Sequence, residues 1–291
     1  MIALVDINSC YCSCEEILNP KIKGKPIVVL SNNDGCVIAR NNEVKKLGVK
    51  MGVPAYQIKE VVEKHNIQVF SSNYQLYGDM STRLMTTLQS FVPDMEIYSI
   101  DEAFLDFTGF EIYGLKEYGE RITRTVLRDT GLPVSMGIAE TKTLAKVANK
   151  FAKKYKGYKN VCLIDTEEKR IKALKKTDIS DVWGIGRKLT KKLNSQGVQT
   201  AYDFTQLSRS YVRKYFTVVG ERMWLGLQGI NCYDMEQSPP LKKQICTSRA
   251  FGGYVEDYEG MREAVSTYAC ICAQELREQG TFAASLMVFI H

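Results

Sequence analysis

The stretch Glu96-Ile97-Tyr98-Ser99-Ile100-Asp101-Glu102-Ala103-Phe104-Leu105-Asp106-Phe107 alternates in the manner of strands, and Thr108-Gly109 ends it. An acidic pair stands in its middle. Consecutive strand residues point to opposite faces, so Asp101 and Glu102 can share a site only if the backbone bends between them. The stretch therefore predicts a hairpin turned at the pair. A third acid comes from the start of the chain, where Ile2-Ala3-Leu4-Val5 is a continuous apolar run ending at Asp6, as a buried strand carrying a carboxylate at its end would be. Caps and turns are the commoner use of strand-end acids, and sequence distance does not establish that these three converge. If they do, three carboxylates suit Mg²⁺, which prefers oxygen ligands and keeps positions for water and substrate phosphate.

Outward from these acids the periodicity supplies the frame. A helix is predicted from about Tyr11 to Leu18, stopped at Asn19-Pro20 because proline disfavours helical geometry in the residue before it. Pro26 to Leu30 reads as a strand closed by Ser31-Asn32-Asn33-Asp34-Gly35, which is turn chemistry throughout. A short strand and a helix follow up to Gly48. Leu132 to Ala139 is a further strand. It leads into an amphipathic helix, Thr141 to Lys156, with Leu144, Val147, Ala148 and Phe151 on one face and Lys142, Lys146, Lys150 and Lys153 in a row on the other. From about Asp165 the chain turns to short, Lys-rich helical segments. Within them Val182-Trp183-Gly184-Ile185-Gly186, followed by Lys188, Leu189 and Leu193, resembles a helix-hairpin-helix. Its glycines would let backbone N–H groups approach a phosphate at a helix start, while an ordinary helix-helix turn is the other reading. Asn231 to Lys243 has the composition of a linker, and Gln244 to Ile290 reads as strand, helix and the start of a strand over Ser285–Ile290.

With 45% hydrophobic and 25% charged residues in 291, the chain can bury a core, and its length suggests two domains. No apolar run approaches the roughly 18 residues of a membrane helix, and the N-terminus lacks the marks of a signal peptide, so a cytoplasmic location is expected. Nine scattered cysteines give no disulfide framework. The closest group, Cys10-x-Cys12-x-Cys14, lacks zinc spacing and reads as small apolar packing. Charge is uneven: Lys142 to Lys192 holds 16 Lys or Arg against 5 Asp or Glu, a balance of +11 that leaves −5 for the rest of a chain of net charge +6. Such a block is the footprint of a phosphate-backbone binder or simply a solvated basic face.

The start Ala3 to Tyr11, the stretch Gly24 to Arg40, the segment Tyr98 to Asp106 and the hairpin Asp181 to Gly186 together resemble the Y-family translesion DNA polymerases, and within them the UmuC branch. The resemblance covers nearly the whole chain. It implies an α+β right-hand polymerase with a ferredoxin-like palm (1–18 and 73–164), small fingers (19–72) and a helical thumb (165–235, with its helix-hairpin-helix near 181–193). A linker (236–243) and a partial little finger (244–291), about half the family length, would complete it. It further implies that Asp6, Asp101 and Glu102 are catalytic and hold two Mg²⁺ ions with the Ile7 carbonyl. Tyr11 would be a steric gate against the ribose 2′-OH. Arg40, Lys45 and Lys146 would contact the triphosphate, although Asn42 replaces a tyrosine of other branches, and Gly35 and Cys36 would roof the nascent base pair. Gly184, Gly186, Lys188 and Lys191 would bind DNA. The implied partners are primer-template DNA, a deoxynucleoside triphosphate, a UmuD-type dimer, a RecA filament and a sliding clamp, in error-prone synthesis during the SOS response. The length leaves little room for a proofreading exonuclease.

Overall fold

A computed structural model describes residues 1–236, 238, 241–249 and 251–290. Gln237, Pro239 and Pro240 of the expected linker, and Ala250 and His291 of the expected little finger, lie outside the described residues. The chain forms two compact units, Met1–Lys23 with Asn73–Gln237 and Gly24–Ser72 with Ser238–His291. In chain order the first unit opens with β1 (Ile2–Ile7) and α1 (Cys10–Leu18). The second contributes β2 (Ile27–Leu30), β3 (Val37–Arg40), α2 (Asn42–Lys46), α3 (Lys59–His65) and β4 (Gln68–Ser71). The first resumes with α4 (Tyr74–Gln89), β5 (Met95–Ile97), β6 (Glu102–Asp106), α5 (Leu115–Thr130), β7 (Val134–Ala139), α6 (Lys142–Lys154) and β8 (Val161–Ile164). It ends with α7 (Glu167–Lys176), α8 (Arg187–Asn194), α9 (Ala201–Thr205) and α10 (Arg209–Leu227), before α11 (Tyr258–Gln279) in the second unit. The fold is mixed α+β, as the sequence led us to expect.

The first unit is built on a five-stranded sheet of order β5-β6-β1-β7-β8, with β1 antiparallel to both neighbours. Every residue of β1 is buried, which is why its apolar run does not alternate. Glycine decides how closely the helices approach. A Cβ at Gly137 would stand 2.1 Å from the Asn149 nitrogen and 2.2 Å from the Ala145 oxygen, so α6 lies directly on the backbone of β7. One pleat along, a Cβ at Gly119 of α5 would meet Met136 and Ile138. Since side chains alternate along a strand, α5 and α6 cover opposite faces. On the α6 face one apolar core runs from Leu4, Phe104, Leu144 and Phe151 of the sheet and its helix to Leu174, Ile185, Leu193, Phe204 and Met223. Burial of each such side chain stabilises by about 1.5–3 kcal/mol, so the helical segment from Ala173 to Leu227 is anchored to the sheet rather than tethered to it.

In the second unit β2 pairs antiparallel with β3 and parallel with β4 over a small core that includes Val28, Val37, Val44 and Ile58. Asn41 caps α2 by accepting from the Val44 N–H, while its amide donates to the Lys25 carbonyl at 2.7 Å. Asp257 caps α11, and Gly280 ends it at φ 68°. The strands expected from Gln244 and over Ser285–Ile290 are not formed: among the described residues no strand follows β8. Apolar alternation makes a strand only where a neighbour supplies the ladder, and Leu286 and Met287 are instead 78% and 83% exposed. Among the described residues no helix is long and apolar enough to cross a membrane. None of the nine cysteines is in a disulfide, and Cys10, Cys12 and Cys14 are buried as small apolar side chains.

Candidate active site

The register of the central strands places Asp6 directly opposite Glu102. Both lie on the α6 face of the sheet, with Leu4 and Phe104. Asp101 stands one residue earlier, in the turn between β5 and β6, where its carbonyl accepts from the Ile7 N–H at 3.0 Å. The expected bend is fastened by a residue that we did not single out from the sequence. The Ser99 hydroxyl donates to the Asp101 carboxylate at 2.7 Å and accepts from the Glu102 N–H at 3.1 Å. Its only sequence signal is a serine two positions before an acid, the spacing of a local side-chain turn.

Three carboxylates in one another's field need counter-charge, and α6 supplies it. Lys146 donates to both Glu102 oxygens at 3.0 Å, and Lys153 pairs with Asp6. Burial pushes the Asp6 carboxyl up to about 6 against the pull of Lys153, and the charges of Glu102 and Asp101 add to the rise. The other two lysines of the row are also taken. Lys142 is bound to Glu96 at 2.5 Å, both side chains being under 10% exposed, and Lys150 pairs with Asp181. Each of these four lysines thus has an acidic partner within the chain, Lys142 buried with its partner and Lys150 and Lys153 partly exposed with theirs. Periodicity shows which face of a helix is charged, not what that face meets.

The donor set fits Mg²⁺ in kind, because all three side chains offer hard carboxylate oxygens and two of them already hold a cation. Among the described residues, however, no three His, Cys, Asp or Glu side chains are drawn together closely enough to grip an ion. Tyr11, on α1 of the same unit, stacks on Tyr77 at 4.3 Å and meets Tyr74 edge-on at 6.0 Å. Tyr77 is fixed in turn by its hydroxyl, which donates to Glu15 at 2.8 Å.

The remaining expected nucleotide residues belong to the second unit. Arg40 closes β3 and donates through Nε to the Val49 carbonyl at 2.8 Å, and Lys45 on α2 reaches Asn42 at 3.3 Å. Gly35 and Cys36 close a turn in which the Ser31 N–H donates to the Cys36 carbonyl at 2.8 Å and the Ser31 hydroxyl accepts from the Cys36 N–H at 3.1 Å. A Cβ at Gly35 would meet only the Ser31 hydroxyl, at an ordinary 3.6 Å, so local packing does not demand glycine there.

In the hairpin before α8, Gly184 sits at φ 90°, a conformation that side chains rarely adopt, whereas a Cβ at Gly186 would meet nothing within 4 Å. Ile185 between them is buried. Lys188 and Lys191 on α8 are exposed and make no ion pair among the described residues, unlike Lys142, Lys146, Lys150 and Lys153 of α6.

Comparison with known proteins places the chain in a family. The chain matches the impB/mucB/samB family over residues 5–150, the helix-hairpin-helix motif of that family over 167–198 and its C-terminal domain over 242–291. It is 47% identical to Protein UmuC of Salmonella typhimurium over all of this chain and 69% of that one. It is 33% identical to DNA polymerase IV of Saccharolobus solfataricus, over 70% of this chain and 58% of that one. Among solved structures, an insertion ternary complex of Dbh DNA polymerase superposes with a TM-score of 0.71 at 28% identity, covering 81% of this chain and 70% of that one. The chain thus spans about two-thirds of the length of such relatives.

Proposed function

The chain belongs to the impB/mucB/samB family, as a UmuC-branch Y-family DNA polymerase, and from that premise we propose that it adds deoxynucleotides to a primer 3′-hydroxyl along a damaged template. The observation that carries this reading is the pairing of Asp6 with Glu102 across β1 and β6, with Asp101 at the adjoining turn. Asp6, Asp101, Glu102 and the Ile7 carbonyl would hold two Mg²⁺ ions, which when bound supply Lewis-acid stabilisation of charge on the reacting phosphoryl oxygens. The chain's own residues do the rest. Lys146, once released from Glu102, offers its charge to the triphosphate, with Arg40 and Lys45 as the other cations. The Tyr11 ring, held by its stack on Tyr77, fills the space that a ribose 2′-OH needs. Gly35 and Cys36 keep the roof of the base pair small, in keeping with the local room at Gly35 for a larger residue.

Gly184, Gly186, Lys188 and Lys191 hold duplex phosphates without reading sequence. On family membership alone the reading extends to the SOS response and to a UmuD-type dimer, a RecA filament and a sliding clamp as partners. The test is primer extension with Mg²⁺ across an abasic template. Asp101→Ala and Glu102→Ala abolish nucleotide addition and leave DNA affinity near its original level; extension retained by both variants refutes the assignment. DNA affinity with no addition by the unaltered chain supports the other reading, a form that binds primer-template without synthesis.

A further inference from the structure

Lys146 has two kinds of neighbour. Besides the Glu102 carboxylate, its ammonium lies 4.4 Å from the centre of the Tyr98 ring, 5.4 Å from that of Trp183 and 5.7 Å from that of Phe104. The rings are themselves held. Trp183 Nε1 donates to the Tyr98 hydroxyl at 3.1 Å, and the two rings meet almost perpendicular at 5.7 Å. Tyr98 stands edge-on to buried Phe104 at 5.5 Å, and Tyr233 packs on Trp183 at 5.6 Å. Trp183 is half-buried, so the hairpin core that Val182 and Ile185 enter does not absorb it.

An aromatic face attracts a cation without neutralising it. A lysine on a flexible four-carbon stem that met Glu102 alone would have its charge cancelled there, whereas one held by rings can exchange one anion for another without leaving its place. We propose that Trp183 is a positioning residue for Lys146: with Tyr98 it forms a box that keeps the ammonium beside Glu102, ready for the incoming triphosphate. The inference rests on the polymerase reading above and goes beyond it. It gives the tryptophan of the hairpin a task separate from DNA contact, and it makes nucleotide affinity depend on a residue outside the sheet.

The test uses the full chain with Trp183→Ala and Trp183→Phe. Competitive acetylation with acetic anhydride, without DNA or nucleotide and read by peptide mass spectrometry, reports the box directly. Acetylation of Lys146 rises about fivefold in Trp183→Ala and less than about twofold in Trp183→Phe, while that of Lys188 is unchanged. In single-nucleotide insertion, Trp183→Ala raises KM for the deoxynucleotide about three- to tenfold with kcat within about twofold, and Trp183→Phe recovers most of the loss. On a Lys146→Ala background Trp183→Ala adds no further change in KM, because the two act as one unit.

Unchanged Lys146 reactivity in Trp183→Ala overturns the proposal. So does a fall in kcat matching the rise in KM, a Trp183→Phe variant no better than Trp183→Ala, or an additive loss on the Lys146→Ala background. Failure of the polymerase reading shows separately, as extension that survives Asp101→Ala and Glu102→Ala, and the acetylation result is independent of it.

Discussion

The two lysine sets make opposite predictions for DNA binding. Lys188 and Lys191 on α8 are exposed and carry no ion pair among the described residues, whereas Lys150 and Lys153 on α6 are paired with Asp181 and Asp6. A lysine that neutralises a phosphate releases counterions, so each such contact contributes about 0.9 to the slope of log affinity against log salt on duplex DNA. Replacing both α8 lysines with alanine lowers the slope by about 1.8 if both touch phosphates. Between 50 and 200 mM salt, each contact removed spares the complex about a 3.5-fold loss of affinity. Replacing Lys150 with alanine changes the slope by less than about 0.3, because its charge is already matched by Asp181; affinity falls slightly as the aspartate is uncovered. Fluorescence anisotropy of a labelled primer-template over that salt range measures both. An equal fall in slope for Lys150→Ala and Lys188→Ala would show that the α6 pairs open on DNA and that the internal pairing does not govern the grip.

Three further outcomes are expected. Glu96→Ala strands the buried Lys142 ammonium and removes the acceptor of the Glu236 N–H, costing about 3–5 kcal/mol in urea unfolding. The double variant Lys142→Met with Glu96→Leu leaves no buried charge and recovers most of that; equal losses from single and double contradict it. Tyr11→Ala raises incorporation of ribonucleotides relative to deoxyribonucleotides, and unchanged sugar discrimination returns Tyr11 to a packing role against Tyr77. Burial pushes the Cys162 thiol up to about 11, so at pH 8 about one thousandth of it is thiolate and its alkylation climbs only as pH nears that value. Exposed Cys246 and Cys270 react first, and alkylation of Cys162 at their rate at pH 8 is the contrary result.

Local chemistry made much of the frame legible. The apolar run before Asp6 is a fully buried strand, the pair Asp101–Glu102 marks a hairpin turn, and the stripe Leu144, Val147, Ala148 and Phe151 is the buried face of α6. What stayed hidden was long-range pairing of charge. Lys146 meets Glu102 from 44 residues away, and Lys142 meets the Asp234 carbonyl from 92 away; nothing in the periodicity of α6 distinguishes such partners from solvent or a phosphate. The tail Ser285–Ile290 failed for the converse reason, since its residues suit a strand but the neighbour that would make it one is not encoded within it.

The place of β1 between β6 and β7 bears on how the protein is born. Its edge partners are distant in the chain; Asn8, just past its end, bonds Ser135 across 127 residues. At roughly 5–20 residues per second, a ribosome takes about 6–25 s to add that interval. Until Glu102–Asp106 is made, an apolar strand waits with both edges unpaired, and one edge stays open until Val134–Ala139 follows, while Gly24–Ser72 can already close on its own small core. The carboxylate Asp6 thus meets Glu102 only after the intervening chain has been made, and until then its strand is open to pairing with other chains.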